Sequence, residues 1–141
     1  EENVKNVTIT AGLTISSLQQ INTERCEAGE IFNDFGPQGV VPTPKGGFAY
    51  KVDSWSLADW CTATTGELGE AANIVKKLRR GSDLTTGKNE ELLKARLASE
   101  LADVLCYLVL FAQRAGVDLE QATIDKFNEV SARVESPLRL P

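Results

Sequence analysis

The fold is decided between Trp55 and Phe111, by the motifs Gly66-Glu67-Leu68-Gly69-Glu70 and Ser99-Glu100-Leu101-Ala102-Asp103. Each motif places two carboxylates three residues apart, so that on a helix both side chains lie on one face, about one turn apart. At about 100° per residue, each of these faces also carries apolar residues: Trp60, Ala63, Ile74 and Leu78 beside the first pair, and Leu93, Val104, Tyr107 and Phe111 beside the second. Burying carboxylates on apolar faces is costly unless a positive charge neutralises them. A divalent metal ion held by both pairs would supply that charge.

The residue types favour a hard metal ion. The sequence contains no histidine, which excludes His-based zinc sites, Ser-His-Asp triads and Glu-x-x-His di-iron bundles. Four carboxylates suit Mg²⁺ or Mn²⁺ better than zinc, and Mg²⁺ normally recruits substrate phosphates. Basic residues near the first motif are candidate phosphate partners, although basic residues at a helix C-terminus also complement the helix dipole; they are Lys76, Lys77, Arg79 and Arg80.

Composition restricts the class of protein further. A chain of 141 residues with a net charge of -5 is expected to be one domain, 1–141, and not to bind a nucleic acid polymer through a general basic surface. No apolar run approaches the roughly 18 residues of a membrane span, and no secretory signal is visible. The three cysteines fall in predicted helices, as reduced thiols of a cytoplasmic protein do.

Hydrophobic periodicity and helix signals predict four helices. Residues 1–16 are expected to form an extended arm, and the Gly- and Pro-rich residues 36–54 a long irregular loop. A flexible linker, 81–88, separates the second helix from the third. The predicted helices run from Ser17 to Asn33, from Ser54 or Ser56 to Arg80, from Asn89 to Ala115, and from a capping box at Asp118 and Gln121 to Val134.

The predicted architecture is an all-α, antiparallel four-helix bundle in which helices two and three form a hairpin. In that hairpin the two acidic pairs can meet face to face. The third helix begins polar, with Glu90, Glu91, Lys94 and Arg96, and is almost wholly apolar from Leu101 to Ala112. Because a helix that is apolar all round is buried on every side, it belongs at the centre of the bundle or at a subunit interface.

Glu-x-x-Glu followed one hairpin later by Glu-x-x-Asp resembles the MazG-like, all-α nucleoside triphosphate pyrophosphohydrolase superfamily, which includes dCTP pyrophosphatases and phage MazG proteins. The resemblance covers a core of about residues 55–134. The matching stretches are Trp55-Ser56-Leu57-Ala58-Asp59-Trp60, Gly66-Glu67-Leu68-Gly69-Glu70-Ala71-Ala72-Asn73, Lys76-Lys77-Leu78, Glu100-Leu101-Ala102-Asp103-Val104-Leu105-Cys106-Tyr107-Leu108, Val117-Asp118-Leu119-Glu120 and Lys126-Phe127-Asn128.

This resemblance implies Mg²⁺-dependent hydrolysis of ribo- or deoxyribonucleoside triphosphates to the monophosphate and pyrophosphate. It implies a homodimer or homotetramer with sites at subunit contacts. Four carboxylates would hold the metal, and one of them, such as Glu67, would instead serve as the base. The implied metal-site and catalytic residues are Glu67, Glu70, Glu100 and Asp103, and the implied substrate contacts are Tyr107, Lys126, Arg133 and, as a weak substitute for an asparagine two residues later, Asn128.

Base recognition is where the sequence departs from its relatives. Lys77 stands where dCTP-selective relatives look to have a base-contacting tryptophan, so it enters the list of candidate substrate contacts. Trp55 or Trp60 would stack on the base, or anchor the core instead. Other hypotheses remain open: a nucleotide-sensing helical oligomer without turnover, a pyrophosphohydrolase acting on a phosphoribosyl nucleotide, and a structural bundle whose carboxylates form solvated salt bridges.

Overall fold

The structure is a computed structural model, and it describes residues 12–28, 32–33, 41–42, 48–49, 51–80 and 87–141. The chain is all-α, as the sequence predicts, with helices α1 (Ile15–Glu27), α2 (Leu57–Arg80), α3 (Gly87–Ala115) and α4 (Leu119–Arg133). Between α1 and α2 lie a short 3-10 turn, Val52–Ser54, and a small antiparallel sheet in the order β1-β3-β2, built from β1 (Phe32–Asn33), β2 (Val41–Pro42) and β3 (Phe48–Ala49).

Helix α1 begins and ends earlier than the periodicity predicts. The Thr14 side chain accepts a hydrogen bond from the Ser17 backbone N–H at 3.0 Å, and the Ser17 hydroxyl accepts one from the Thr14 N–H at 3.0 Å. This reciprocal cap starts the helix at Ile15, within the predicted arm, because it pairs backbone donors that a helix N-terminus leaves unbonded. The predicted end at Asn33 is wrong, since the helix ends at Glu27 and Asn33 pairs with Phe48 in the sheet.

The region predicted as a long loop contains local structure. Its described residues form β2, β3 and the 3-10 turn before α2. The rest of the predicted loop up to residue 50, residues 1–11 of the predicted arm and residues 81–86 of the predicted linker lie outside the described residues.

Helices α2 and α3 form the predicted antiparallel hairpin and pack mainly on each other. Ser56 starts α2, because its backbone N–H and hydroxyl both donate to the Asp59 carboxylate, at 2.8 and 2.7 Å. These two bonds hold the pKa of Asp59 below its usual value. The predicted apolar faces meet between the helices, where Ala71, Ile74 and Leu93 are buried.

The core lies at the end of the hairpin where α2 begins. Its buried cluster contains Cys26, Val52, Trp55, Trp60 and Leu110. The Trp60 Nε1–H donates to the Val52 carbonyl oxygen at 2.9 Å, and the Arg114 Nε–H donates to the Trp55 carbonyl oxygen at 2.9 Å. These two bonds fasten the 3-10 turn to α2 and α3. Burial raises the pKa of the Cys26 thiol to about 12, so this cysteine is a protonated, packed thiol.

Helix α4 follows α3 through a tight turn. Gly116 has a φ of +68°, the left-handed conformation that glycine adopts without steric cost at a helix C-terminus. Asp118 caps α4 by accepting a hydrogen bond from the Gln121 backbone N–H at 3.0 Å, whereas the Gln121 side chain donates to Asp125 at 2.8 Å. The predicted capping box is therefore half formed. Helix α4 packs against α1.

Asn22 connects α1 to α3, and we expect Asn22→Ala to destabilise the fold. Its buried side chain donates to the Cys106 carbonyl oxygen at 2.8 Å and accepts from Arg25 at 2.6 Å. Removing this amide takes away the hydrogen bond that ties α1 to α3, so the free energy of unfolding should fall by about 0.5–1.5 kcal/mol. Urea denaturation measures the change. Gln20→Ala is the matched control, because Gln20 is exposed and its side chain bonds Glu24 on its own helix; an equal loss in both variants would contradict the expectation.

Candidate active site

Three of the four predicted carboxylates meet between α2 and α3. Glu67, Glu100 and Asp103 each offer an oxygen, and these oxygens all lie within 4.8 Å of one another. Glu67 and Glu100 are half-buried and Asp103 is exposed. The antiparallel hairpin produces this arrangement, because it brings the middle of α2 opposite the middle of α3. We call these three side chains the carboxylate cluster.

Glu70 lies outside the carboxylate cluster, although its spacing predicts that it shares the face of Glu67. The side chain is exposed, and its oxygens do not join the group within 4.8 Å. Its negative charge still acts on the cluster, since it is one of the charges that raise the pKa of Glu67. Glu70 is therefore placed at the edge of the site and not at its centre.

Glu67 is the electrostatically strained member of the cluster. Burial raises its pKa above the usual value, and the charges of Asp103, Glu100 and Glu70 raise it further, in that order. A hydrogen bond with Glu100 also favours the protonated form of Glu67. Like-charged carboxylates this close favour taking up a proton or a cation. The cluster can accordingly accept a proton or coordinate a metal ion.

This pKa shift predicts that metal-free protein loses stability as the pH rises. The folded-state pKa of Glu67 lies above its ordinary value of 4.5. The stability contribution of Glu67 is thus fully present below that ordinary value and is lost as the pH rises through the raised pKa. We expect the melting temperature of wild type minus that of Glu67→Gln, both in EDTA, to fall as the pH rises above about 4, where an ordinary carboxyl begins to ionise. A difference that stays constant over this range would contradict the assignment.

The two predicted base-stacking tryptophans lie in the core. Trp60 is fully buried and Trp55 is 5% exposed, so neither offers an open ring face to a substrate, and the alternative prediction of core anchors describes them. Their ring centroids are 4.7 Å apart, and the Trp60 ring lies 6.2 Å from that of Tyr107. Tyr107 is half-buried one turn after Asp103 on α3. It is the aromatic residue beside the carboxylate cluster.

Helix α4 packs against α1. This packing does not bring its predicted substrate contacts to the carboxylate cluster. Lys126 is paired with Glu129 at 2.8 Å, and Arg133 is exposed at the end of α4. Asn128 holds the C-terminal tail, donating to the Leu140 carbonyl oxygen at 3.1 Å and accepting from the Leu140 N–H at 2.8 Å. The Asn128 amide is therefore engaged with the tail, and its contact with substrate stays a prediction.

A second concave region lies away from the carboxylates. A cleft of about 510 Å³ separates α1 from the turn between α3 and α4, and Gln19, Thr23, Gln113 and Asp118 are among its lining residues. It contains none of the four predicted carboxylate ligands and no basic side chain. A polyphosphate needs cations or a metal ion as partners, so the carboxylate cluster is the better candidate site.

Fold and site together define a class: an all-α protein whose central helical hairpin presents a cluster of carboxylates able to hold a divalent metal ion. The model of the MazG nucleotide pyrophosphohydrolase domain matches residues 57–134, more than half of the chain, and the chain belongs to this family. The family indicates a hydrolase that acts on a nucleotide. Comparisons with curated proteins and with solved structures found no match. Among the described residues, none of the helices combines the length and apolar character needed to cross a membrane.

Proposed function

We propose that the protein hydrolyses ribo- or deoxyribonucleoside triphosphates between the α and β phosphates, releasing the monophosphate and pyrophosphate, with Mg²⁺ or Mn²⁺ in the carboxylate cluster. The observation that carries this proposal is the convergence of Glu67, Glu100 and Asp103 within 4.8 Å, on the two helices of the matched family domain. Membership of the family indicates a nucleotide substrate, and the carboxylate cluster is where a metal ion would bind its phosphates.

The donor set fits a small, hard cation. All three groups are carboxylates, and Mg²⁺ takes oxygen ligands at about 2.0–2.1 Å, so that opposite ligands lie about 4.2 Å apart. Adjacent ligands of the same octahedron lie about 2.9 Å apart, so the three oxygens, which lie within 4.8 Å of one another, would move closer together to hold one ion. Glu70 would become a fourth ligand by changing its side-chain rotamer, since it lies one turn after Glu67 on α2. Glu67, Glu100, Asp103 and Glu70 are therefore the proposed ligands.

A bound metal ion would polarise the phosphoryl oxygens and offset the charge that develops as the anhydride breaks. Hydrolysis cleaves the bond between one phosphorus and the bridging oxygen, and a water supplies the new oxygen and a proton. Glu67 is the candidate proton acceptor if it serves as the base instead of as a ligand, because it offers a half-buried carboxylate oxygen within the cluster. Tyr107, one turn beyond Asp103, would contact the nucleoside.

Exposed apolar residues support assembly into a homodimer or homotetramer. Leu68 is 54% exposed on α2 and Leu101 is 51% exposed on α3, and Val75 and Leu105 extend these two stripes. In an antiparallel hairpin both stripes fall on the same side, about a quarter turn from the buried interface. A second copy covering them would account for the apolar third helix, and a partner's α4 would then bring Lys126 and Arg133 towards the site. Sedimentation equilibrium measures the oligomeric state.

Pyrophosphate release from a panel of nucleoside triphosphates and phosphoribosyl nucleotides, with Mg²⁺ and with EDTA, tests the proposed reaction. We expect release that requires the metal and yields the monophosphate, and the ranking of the panel identifies the substrate. If no member is turned over while Mg²⁺ plus nucleotide still raises the melting temperature, the protein is a nucleotide sensor, because ligand binding to the native state must stabilise it. If neither effect occurs, the carboxylates have a structural role only.

A further inference from the structure

Helix α1 runs antiparallel to α3, and its C-terminal end is directed towards the carboxylate cluster. The Gln19 side chain donates to the Gln113 side-chain oxygen at 3.1 Å. One turn later, the Asn22 side chain donates to the Cys106 carbonyl oxygen at 2.8 Å. As α1 advances, its partners on α3 therefore move towards Asp103, which lies three residues before Cys106. The last turn of α1 is the part of this helix nearest to the carboxylate cluster.

The same end of α1 closes the groove between α2 and α3. Cys26 is fully buried in one cluster with Trp60 on α2 and Leu110 on α3. On α2, Glu67 lies seven residues after Trp60. On α3, Asp103 lies seven residues before Leu110. Seven residues are about two helical turns, or about 10 Å, so both carboxylates continue the helix faces that Cys26 covers. Because α2 and α3 are antiparallel, both steps lead towards the same end of the hairpin, and the groove beyond Cys26 contains the carboxylate cluster.

Arg25 is the cation in the last turn of α1, and a buried side chain holds it. Its guanidinium donates to the Asn22 side-chain oxygen at 2.6 Å, and Asn22 is 2% exposed and hydrogen-bonded to α3. This anchor distinguishes Arg25 from the exposed basic residues near the end of α2, whose side chains have no hydrogen bond or ion pair within the described residues; they are Lys76, Lys77, Arg79 and Arg80.

Arg25 keeps hydrogen-bond donors for a ligand. A guanidinium carries several N–H donors, and the bond to Asn22 uses one of them. Arg25 is exposed, and no carboxylate of the described residues lies within 4.0 Å of it. Because Asn22 already fixes the planar group, binding an anion would cost little further side-chain entropy. A phosphate group is the anion whose oxygens such a planar donor matches best in a nucleotide.

We propose that Arg25 binds a phosphate group of the nucleotide at the carboxylate cluster, and that Asn22 is the positioning residue that holds Arg25 there. The inference rests on the proposed function and adds to it a substrate contact from α1, outside the residues that the family model matches. Arg25 donates to phosphate oxygens from one end of the groove, whereas the carboxylates act through the metal ion. Asn22 acts through Arg25.

Binding of the two product halves tests the role of Arg25 without turnover. Isothermal titration calorimetry measures the dissociation constants of pyrophosphate and of the nucleoside monophosphates, each with Mg²⁺, for wild type and Arg25→Gln. The glutamine amide can still donate to Asn22 but carries no charge, so the variant should stay folded. It should bind one of the two halves about tenfold more weakly, as expected for one charge-assisted contact, and that half contains the phosphate that Arg25 contacts.

Two further variants accompany this measurement. Arg139→Gln is the matched control, because Arg139 is an exposed arginine bonded within the C-terminal tail; its dissociation constants should match wild type. Asn22→Ala, measured at a temperature at which it is folded, should weaken the same half as Arg25→Gln does. Because Asn22 acts through Arg25, the double variant should bind no more weakly than Arg25→Gln alone. Additive losses would show that Asn22 does not position Arg25.

Three outcomes would overturn the assignment of Arg25. They are equal dissociation constants in wild type and Arg25→Gln for both halves, an equal loss in Arg139→Gln, and wild type that binds neither half. Pyrophosphate release from the triphosphate panel by wild type is measured in the same preparation. If wild type turns the panel over but Arg25→Gln binds both halves like wild type, the assignment is wrong and the proposed function stands. If wild type turns nothing over, the proposed function fails, while calorimetry still decides whether Arg25 binds phosphate.

Discussion

Glu100→Gln should lower pyrophosphate release by at least about a thousandfold while the protein stays folded. Glu100 contributes an oxygen to the carboxylate cluster and is hydrogen-bonded to Glu67. The amide keeps the size of the side chain and removes the negative charge that a divalent ion needs. Metal ions supply several kcal/mol of transition-state stabilisation, and each 1.36 kcal/mol is a factor of ten in rate. The rate is measured by pyrophosphate release at saturating Mg²⁺, and the fold by circular dichroism.

Glu91→Gln is the matched control for this substitution. Glu91 is an exposed glutamate on α3, nine residues before Glu100 and so on the opposite side of the helix. It should retain wild-type turnover, which separates the loss of a ligand from a general loss of negative charge on α3. Near-normal activity in Glu100→Gln would remove Glu100 from the site and, with it, the central claim about the carboxylate cluster.

Glu67→Gln should change stability in opposite directions with and without metal. In EDTA, burial and the charges of Asp103, Glu100 and Glu70 oppose the ionised form of Glu67, so its ionisation as the pH rises destabilises the native state. The glutamine removes that repulsion, so the metal-free variant should melt a few degrees above wild type. With Mg²⁺ the order reverses, because the variant has lost a ligand and gains little from the ion. Turnover should fall as far as in Glu100→Gln.

Glu70→Gln separates the two effects of negative charge at this site, repulsion in the metal-free protein and binding of the metal ion. Glu70 is exposed and lies outside the cluster, so its substitution should stabilise metal-free protein less than Glu67→Gln does. If Glu70 joins the metal on binding, Glu70→Gln will still reduce the stabilisation by Mg²⁺. Differential scanning calorimetry with EDTA and with Mg²⁺ measures both effects.

A metal-free Glu67→Gln protein that melts below wild type would contradict the prediction for Glu67, because it would show that favourable contacts hold this side chain in the native state.

Local signals in the sequence predicted the helical hairpin and the carboxylate cluster well. The i, i+3 spacing and the apolar neighbours placed Glu67, Glu100 and Asp103 on facing helix surfaces, and the structure brings their oxygens together. Spacing predicts the face of a helix but not the rotamer of a long side chain, which is why Glu70 was expected in the same group.

Tertiary packing decided the roles of the aromatic and amide side chains. Trp60 could stack on a base or anchor the core, and only the position of the 3-10 turn, whose Val52 carbonyl oxygen accepts its N–H, decides for the core. Asn128 holds the C-terminal tail through the Leu140 backbone, a contact that its position on the fourth helix does not predict. Both contacts join a helix to a non-helical segment, Trp60 to the 3-10 turn and Asn128 to the C-terminal tail. Helical periodicity carries no information about such contacts.

By itself the sequence determined the all-α class, the hairpin of α2 and α3, and the carboxylate side chains that this hairpin presents, because helical spacing and side-chain chemistry are local properties. Only the tertiary structure decided that three carboxylates converge and a fourth does not, that the tryptophans are buried, and that α4 packs on α1 and not across the carboxylates. The physical reason is that burial and electrostatic strain arise from neighbours supplied by other helices. Glu67 illustrates this, since its pKa is raised first by burial and then by the charges of Asp103 and Glu100 on α3, ahead of the charge of Glu70 on its own helix.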